Sequence, residues 1–471
     1  MVPGMPILLL CLLAAGISPA VRETVTVDAP LVALTHVRVI DGLGHAAVEG
    51  QTVVIEKGRI ASVGVGAAPA GAQVIDLPGR TVLPGLVGMH DHLFMTAVIA
   101  PTLLRQFNEV ANSATRLYLA SGVTTIRTTG SLEPYADLEL KKRIDRGDLP
   151  GPRVFVTGPY LEGKGSFAFQ LHELRDAEDA RRTVAFWADA GATSFKAYMN
   201  ITRDELKAAA DEAHKRGLKI TGHLCSVGYR EAAALGIDNL EHGFLVDTEF
   251  VPGKKPDLCP PQPDAIASIA SLDPDGPQAR ALIQDLVARH VAVTSTLPVF
   301  EASQPGHLPD PRALALLLPE ARVSVLAARA TALGKQNDAG QPKFADWYRT
   351  NQKLERAFVK AGGLLLAGSD PTGVGAVLAG LADQREVELL VEEGFTPVEA
   401  IQIATSNGAR FLGESDLGVV AKGKLADLVV VAGDPSVHIA DLEKVELVFK
   451  DGLGYDPGKL LAPIRGLVGV Q

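Results

Sequence analysis

The sequence predicts an α/β fold: a (β/α)8 TIM barrel with a small β-sandwich domain formed by the N- and C-terminal segments. Three observations carry this. Short apolar strands alternate with helical stretches through the long middle of the chain. Eight such strand–helix units follow one another in series, which implies a closed parallel barrel, with an open doubly wound sheet as the alternative. Both ends, by contrast, are β-branched runs with Gly-containing turns, so they pair with each other into a separate small domain.

In chain order, the N-terminus reads "MVPGMPILLLCLLAAGISPAVRETV". Its apolar stretch, residues 5–16, is too short to span a membrane comfortably. It ends in small residues, with Ser18 and Ala20 placed for cleavage before Val21. Residues 1–20 are therefore expected to be a secretory signal peptide, although the segment before the apolar run has no Lys or Arg. The mature protein is expected to be periplasmic or secreted, with no membrane span. Residues 21–80, with "LTHVRVIDG" and "QTVVIEKGRIASVG", form the first part of the β-sandwich, and residues 413–471, with "GKLADLVVVAGDP" and "VELVFKDG", the second.

Between them, residues 81–412 form the barrel. Its candidate strands are "VLPGLVGMHDH", "VTTIRTTG", "RVFVTGPY", "TSFKAYM", "LKITGHLC", "DNLEHG", "VAVTSTLPV" and "GLLLAGSD". Residues 202–216 read as a helix, with Asp204 and Glu205 in its first turn and Lys215 and Arg216 in its last, a placement that suits the helix dipole. The Pro-rich stretches "VPGKKPDLCPPQP" and "EASQPGHLPDPR" read as ordered loops over one barrel face.

Composition narrows the partners. With 47% hydrophobic and 21% charged residues the chain is that of a soluble globular protein. A formal net charge of -10 argues against nucleic acid, which favours a basic face. A small-molecule substrate is the expected partner, and a homo-oligomer stays open. Of three cysteines, Cys225 and Cys259 remain after signal removal. They can pair in an oxidising compartment, but two unrelated buried thiols is the preferred reading, with Cys225 a small filler.

Chemistry concentrates at the C-terminal ends of the predicted strands, where barrel active sites are built. The first strand ends in His90-Asp91-His92, whose imidazoles share a face at i and i+2. The fourth carries Lys196, the fifth ends with His223, the sixth with His242 and the eighth with Asp370. Six potential ligands at equivalent places in one ring indicate a metal site. Four histidines and one aspartate offer little negative charge for two divalent ions, and an ammonium at Lys196 would repel them. A lysine that has reacted with carbon dioxide becomes an anionic carbamate able to bridge two metals; an ordinary salt-bridged lysine is the other reading. Desolvation and nearby cations lower the amine's pKa and expose the nucleophilic neutral form.

These motifs resemble the amidohydrolase superfamily, specifically its prolidase-like and imidazolonepropionase-like branch with a binuclear metal site and a carboxylated lysine. The resemblance rests on "LPGLVGMHDH", "FKAY", "GHLCS", "LEHG" and "AGSD", and on "EAIQIATSNGARFLG" followed by "LGVVAKGKLADLVVVAGDP", and it covers nearly the whole mature chain. It implies that His90, His92 and Asp370 hold one metal, His223 and His242 the other, and that Lys196 bridges both. Two departures stand where substrate would be held. Many relatives carry Arg-Asp where this chain has Arg127-Thr128, and a Gly-Gly-His pattern where it reads "GPYLEGKGSFAFQLHELRD".

The expected reaction is hydrolysis of an amide bond in a small substrate such as a dipeptide or N-acyl amino acid. Two divalent ions about 3.5–4 Å apart share a bridging hydroxide that attacks the carbonyl. Zinc is expected from the nitrogen and oxygen ligands, with other first-row ions as alternatives. Asp370 is the expected acid–base group. Tyr198, on the Lys196 face, either donates to the oxyanion or is simply packed. His172 is expected to stand in at the substrate site, and Arg127 to bind a substrate carboxylate or form a structural salt bridge. His214, His290, His307 and His438 fall away from the strand ends and read as structural, and "GSDPTGVG" as a turn around Asp370. Alternatives are a hydrolase of cyclic amides or lactones, a Schiff-base lyase using Lys196, and a non-catalytic binding barrel.

Overall fold

A computed structural model describes residues 16–99, 104–304, 307–335 and 344–470. The first fifteen residues of the expected signal peptide lie outside the described residues. Among the described residues, no helix is long and apolar enough to cross a membrane.

Eight parallel strand positions form the barrel. They are Leu86–Asp91, Val123–Thr128, a third strand in two pieces (Arg153–Phe155 and Thr157–Leu161), Ser194–Ala197, Lys219–Gly222, Asn239–Glu241, Ala292–Ser295 and Leu365–Ala367. The third strand breaks at Val156: its first piece pairs with the second strand, Thr125 opposite Arg153, and its second with the fourth, Thr157 opposite Ser194. The ring closes beyond the last strand, where the backbone N–H groups of Ser369 and Asp370 donate to the carbonyl of His90 at 3.1 and 2.9 Å. That closure places Asp370 beside the first-strand histidines.

The small domain interleaves both ends of the chain in one nine-stranded sheet. Arg80–Pro84 runs antiparallel to Leu428–Ala432, with Val82 opposite Val430. Side chains alternate between the faces of a strand. Val82, Leu428 and Val430 accordingly join Val32, Leu34, Val53, Ile55 and Phe449 in the core of the small domain. Leu83, Val429 and Val431 turn the other way and join the barrel core. One sheet thus seals the barrel floor. Gly122 permits the close approach, since a Cβ there would lie 2.9 Å from a Val429 methyl.

The expected first barrel strand, "VLPGLVGMHDH", divides in two. Residues through Pro84 belong to the small sheet, and the barrel strand starts at Leu86. Gly85 makes the turnover, where any Cβ would lie 2.0 Å from the Thr124 hydroxyl. A hairpin that the sequence reading missed, Phe94–Ile99 with Leu104–Glu109, follows this strand at the barrel mouth. The helix expected over residues 202–216 forms as Arg203–Lys215, its start fixed by a reciprocal cap between Thr202 and Glu205.

Candidate metal centre

The six strand-end residues come together. His90 Nε2 and His92 Nε2 lie 3.7 and 3.4 Å from Asp370 Oδ1. His242 Nδ1 is 4.0 Å from Asp370 Oδ2. The ring of His242 stands 4.6 Å from that of His90 and 4.4 Å from that of His223, centroid to centroid. Lys196 Nζ is 3.2 Å from His90 Nε2. The Asp370 side chain is 14% exposed, and it and His223 are the partly exposed members of the group.

Local backbone serves this convergence. Asp91, between the two histidines, points to the opposite face, where its Oδ1 accepts from the Ser369 hydroxyl at 2.8 Å. Asp370 and His242 both have positive φ, 51° and 68°. Non-glycine residues there carry strain on the order of 1–3 kcal/mol, which gathers at functional sites. The turn at His242 lets consecutive residues Glu241 and His242 both reach the cluster.

Glu241 is the hub beneath it. Its Oε2 lies 2.8 Å from His90 Nδ1, and its Oε1 accepts from Arg127 Nη2 at 2.7 Å and from Asn239 Nδ2 at 2.7 Å. His242 is oriented likewise, its Nδ1 2.8 Å from the Thr296 hydroxyl. A histidine held at one nitrogen presents the other as a defined lone pair.

The donor set fits a divalent cation. Both nitrogens of His92 and Nε2 of His242 are buried without a hydrogen-bond partner. Leaving such groups unmet costs about 1–3 kcal/mol each. Burial lowers the pKa of His92 to about 4 and of His223 to about 3, so both are neutral imidazoles, the form that ligates metals. His90, His92 and Asp370 each offer one ligand atom, all within 4.8 Å of one another.

The profile of the amidohydrolase family matches residues 81–453. The chain belongs to this family. It is therefore a metal-dependent hydrolase acting on carbon–nitrogen bonds. Among curated proteins it is similar to the imidazolonepropionase of Streptomyces avermitilis, 25% identical over 415 residues, 85% of each chain. It is also 32% identical to the dihydroorotase of Pelobacter propionicus over 130 residues, 26% of this chain and 29% of that one. Among solved structures it is similar to a putative prolidase from Bifidobacterium longum, at 26% identity and a TM-score of 0.64, covering 90% of this chain and 94% of that one. A Xaa-Pro dipeptidase with bound methionine in its active site shares the fold at 22% identity and a TM-score of 0.64, over 90% of this chain and all of that one.

Other expected residues of this amidohydrolase fall in several places. Tyr198 lies beside the centre, its ring 4.9 Å from that of His223. Burial pushes its phenol pKa up, so it keeps its proton. His172 does not join the cluster. It sits half-exposed on the loop after the third strand, its Nε2 2.9 Å from Asp179 Oδ2, because the buried first turn of the next helix supplies a carboxylate that captures it. Arg127 resolves to the structural alternative: it is buried, and its Nε donates to the Met89 carbonyl at 2.8 Å while Nη2 pairs with Glu241.

The preferred reading of two separate thiols is corrected. Cys225 and Cys259 form a disulfide, Cα atoms 5.0 Å apart, which ties the Pro-rich loop to the end of the fifth strand two residues after His223. His214 and His307 stay outside the cluster, beside Asp238 at 2.9 Å and Glu301 at 3.4 Å. The sequence reading missed Glu241 and Thr296. The signal for Glu241 was present in "LEHG", as an acid directly before a ligand histidine.

Proposed function

We propose that this amidohydrolase is binuclear and hydrolyses the amide bond of a small substrate such as a dipeptide or N-acyl amino acid. His90, His92 and Asp370 would hold one ion, and His223 and His242 the other. Lys196, carboxylated, would bridge them. Zinc suits the nitrogen and oxygen donors.

The observation that carries the reading is the setting of Lys196. Its Nζ is buried, faces the rings of Tyr160 and Tyr198 at 5.1 and 5.5 Å, and forms no ion pair among the described residues. An unpaired buried ammonium is costly. Burial, the largest cause, lowers its pKa to about 8, which makes the neutral amine accessible. The ammonium gives up one proton, and the neutral amine then adds to carbon dioxide, forming an N–C bond and releasing a second proton, so that the buried cation becomes an anion. An ordinary salt-bridged lysine lacks its partner here.

Two bound ions supply Lewis acidity toward water and toward the scissile carbonyl. The chain's own groups do the rest. The Asp370 carboxylate, partly exposed beside the histidines, takes the proton of the attacking water and returns it to the leaving nitrogen. The Tyr198 hydroxyl donates to the carbonyl oxygen as its charge develops.

A second reading, hydrolysis of a cyclic amide or lactone, has support in the relatives named for an imidazolone, whose likeness runs over 415 residues. Periplasmic or secreted localisation is supported by the Cys225–Cys259 disulfide, since such bonds persist in oxidising compartments. Screening zinc-loaded protein against N-acyl amino acids, dipeptides, cyclic amides and lactones tests the function. Turnover of linear amides supports the first reading; turnover confined to rings supports the second.

A further inference from the structure

The rings around the metal centre form a pattern. One aromatic chain starts at the metal-site residues His92 and His223. Phe94 lies 4.9 Å from His92, and Tyr198 lies 4.9 Å from His223. Tyr160 joins Tyr198 at 4.8 Å, and Phe167 closes on Tyr198 at 5.2 Å and on Tyr160 at 5.8 Å. A second chain starts at His242, whose ring is 4.4 Å from that of His223, and runs to Phe300 at 5.6 Å and on to Trp347 at 5.2 Å. Phe94, Phe167, Tyr198 and Phe300 all lie in segments that follow the C-terminal ends of barrel strands, Phe167 after the third and Phe300 after the seventh, while Trp347 anchors Phe300 in the core.

These rings are not all core. Phe167 is 43% exposed and Phe169, on the same loop, 91% exposed. An exposed aromatic such as Phe167, packed on rings that touch the metal-site histidines, marks a binding surface. The geometry points to an aromatic clamp that takes an aryl or large apolar group flanking the scissile bond, with Phe167 and Phe300 as specificity-determining residues on opposite walls. This rests on the amide-hydrolase reading and narrows its substrate class to aryl-bearing amides. Rings pair edge-to-face or offset with centroids 4.5–7 Å apart, the spacing already present within each wall.

The test uses the zinc-loaded full chain and two matched amide series, methyl against benzyl on the acyl side and methyl against benzyl on the amine side. The benzyl member of at least one series should be hydrolysed with a kcat/KM about tenfold or more above its methyl partner. Phe167→Ala or Phe300→Ala should shrink that ratio severalfold. Phe186→Ala, an exposed position on the outer helix Ala177–Ala190, should leave it unchanged. Equal rates in both series, or ratios untouched by both wall variants, would overturn the clamp while leaving the hydrolase reading intact. No turnover in any series would count against the hydrolase reading instead. The clamp is then decided by binding of phenylacetate against acetate in saturation-transfer NMR. A phenylacetate signal that disappears in Phe167→Ala supports it, and equal weak signals from both acids overturn it.

Discussion

The carboxylate of Glu241 grips the imidazole of His90: Oε2 lies 2.8 Å from Nδ1, and both side chains are fully buried. This contact fixes the tautomer that leaves His90 Nε2 facing the centre. Removing such an orienting partner typically costs 10–100-fold in metal affinity. Glu241→Gln should therefore weaken metal retention by about that factor, read by chelator competition. Retention equal to the parent protein would show that the contact is only structural.

Arg127 balances the charge of that same carboxylate. Arg127→Met leaves Glu241 buried and unpaired, a change that typically costs about 3–5 kcal/mol. The expected result is a large fall in unfolding free energy in urea. A stable variant whose defect is confined to KM would return Arg127 to the substrate.

The Cys225–Cys259 bridge spans a sequence separation of 34 residues. A closed loop of that size stabilises by about 3–4 kcal/mol in the chain-entropy treatment. Cys259→Ser should lower the unfolding free energy by up to that amount. Because the bridge anchors the stretch carrying His223, the variant should also lose metal faster to a chelator. An unchanged midpoint in both reduced parent and variant would count against the bridge.

Glu355 and Glu386 lie buried beside Ser295, and Glu393 lies buried beside both of them. Burial raises Glu355 from 4.5 to about 7, and burial with neighbouring carboxylates pushes Glu386 and Glu393 well above the usual range. The folded state thus holds protons that the unfolded chain releases. The stability these groups contribute is fully present below about pH 4.5 and, for Glu355, is lost as pH rises through about 7. The thermal midpoint should fall across that window, and Glu355→Gln should flatten the slope. A midpoint that rises over the same range in the parent, with the variant parallel to it, would contradict this.

What was legible follows a physical divide. His90, His92, Lys196, His223, His242 and Asp370 could be read because strand count and strand-end position put them in one ring, a property of linear order. Glu241 and Arg127 were not assigned to each other because their contact crosses the barrel interior between residues 114 positions apart. The same holds for Cys225 and Cys259, whose meeting depends on the path of a Pro-rich loop. His172 misled for the converse reason: it lies on a mouth loop, but the nearest carboxylate, Asp179, turned it outward. The two-part first strand was hidden because one apolar run serves two sheets, with only Gly85 to mark the crossing.

Replacing the bridging group offers a chemical rescue. Lys196→Ala should abolish amide hydrolysis, and short carboxylic acids should restore part of it by filling the vacated anionic position. Activity retained without rescue would remove Lys196 from the centre.

The most direct measurement looks for the carbamate itself. Protein loaded with zinc under 13C-labelled carbon dioxide should show one carbamate resonance by NMR and two metal ions per chain, with the resonance absent in Lys196→Ala. An active, two-metal enzyme with no carbamate signal would contradict the account.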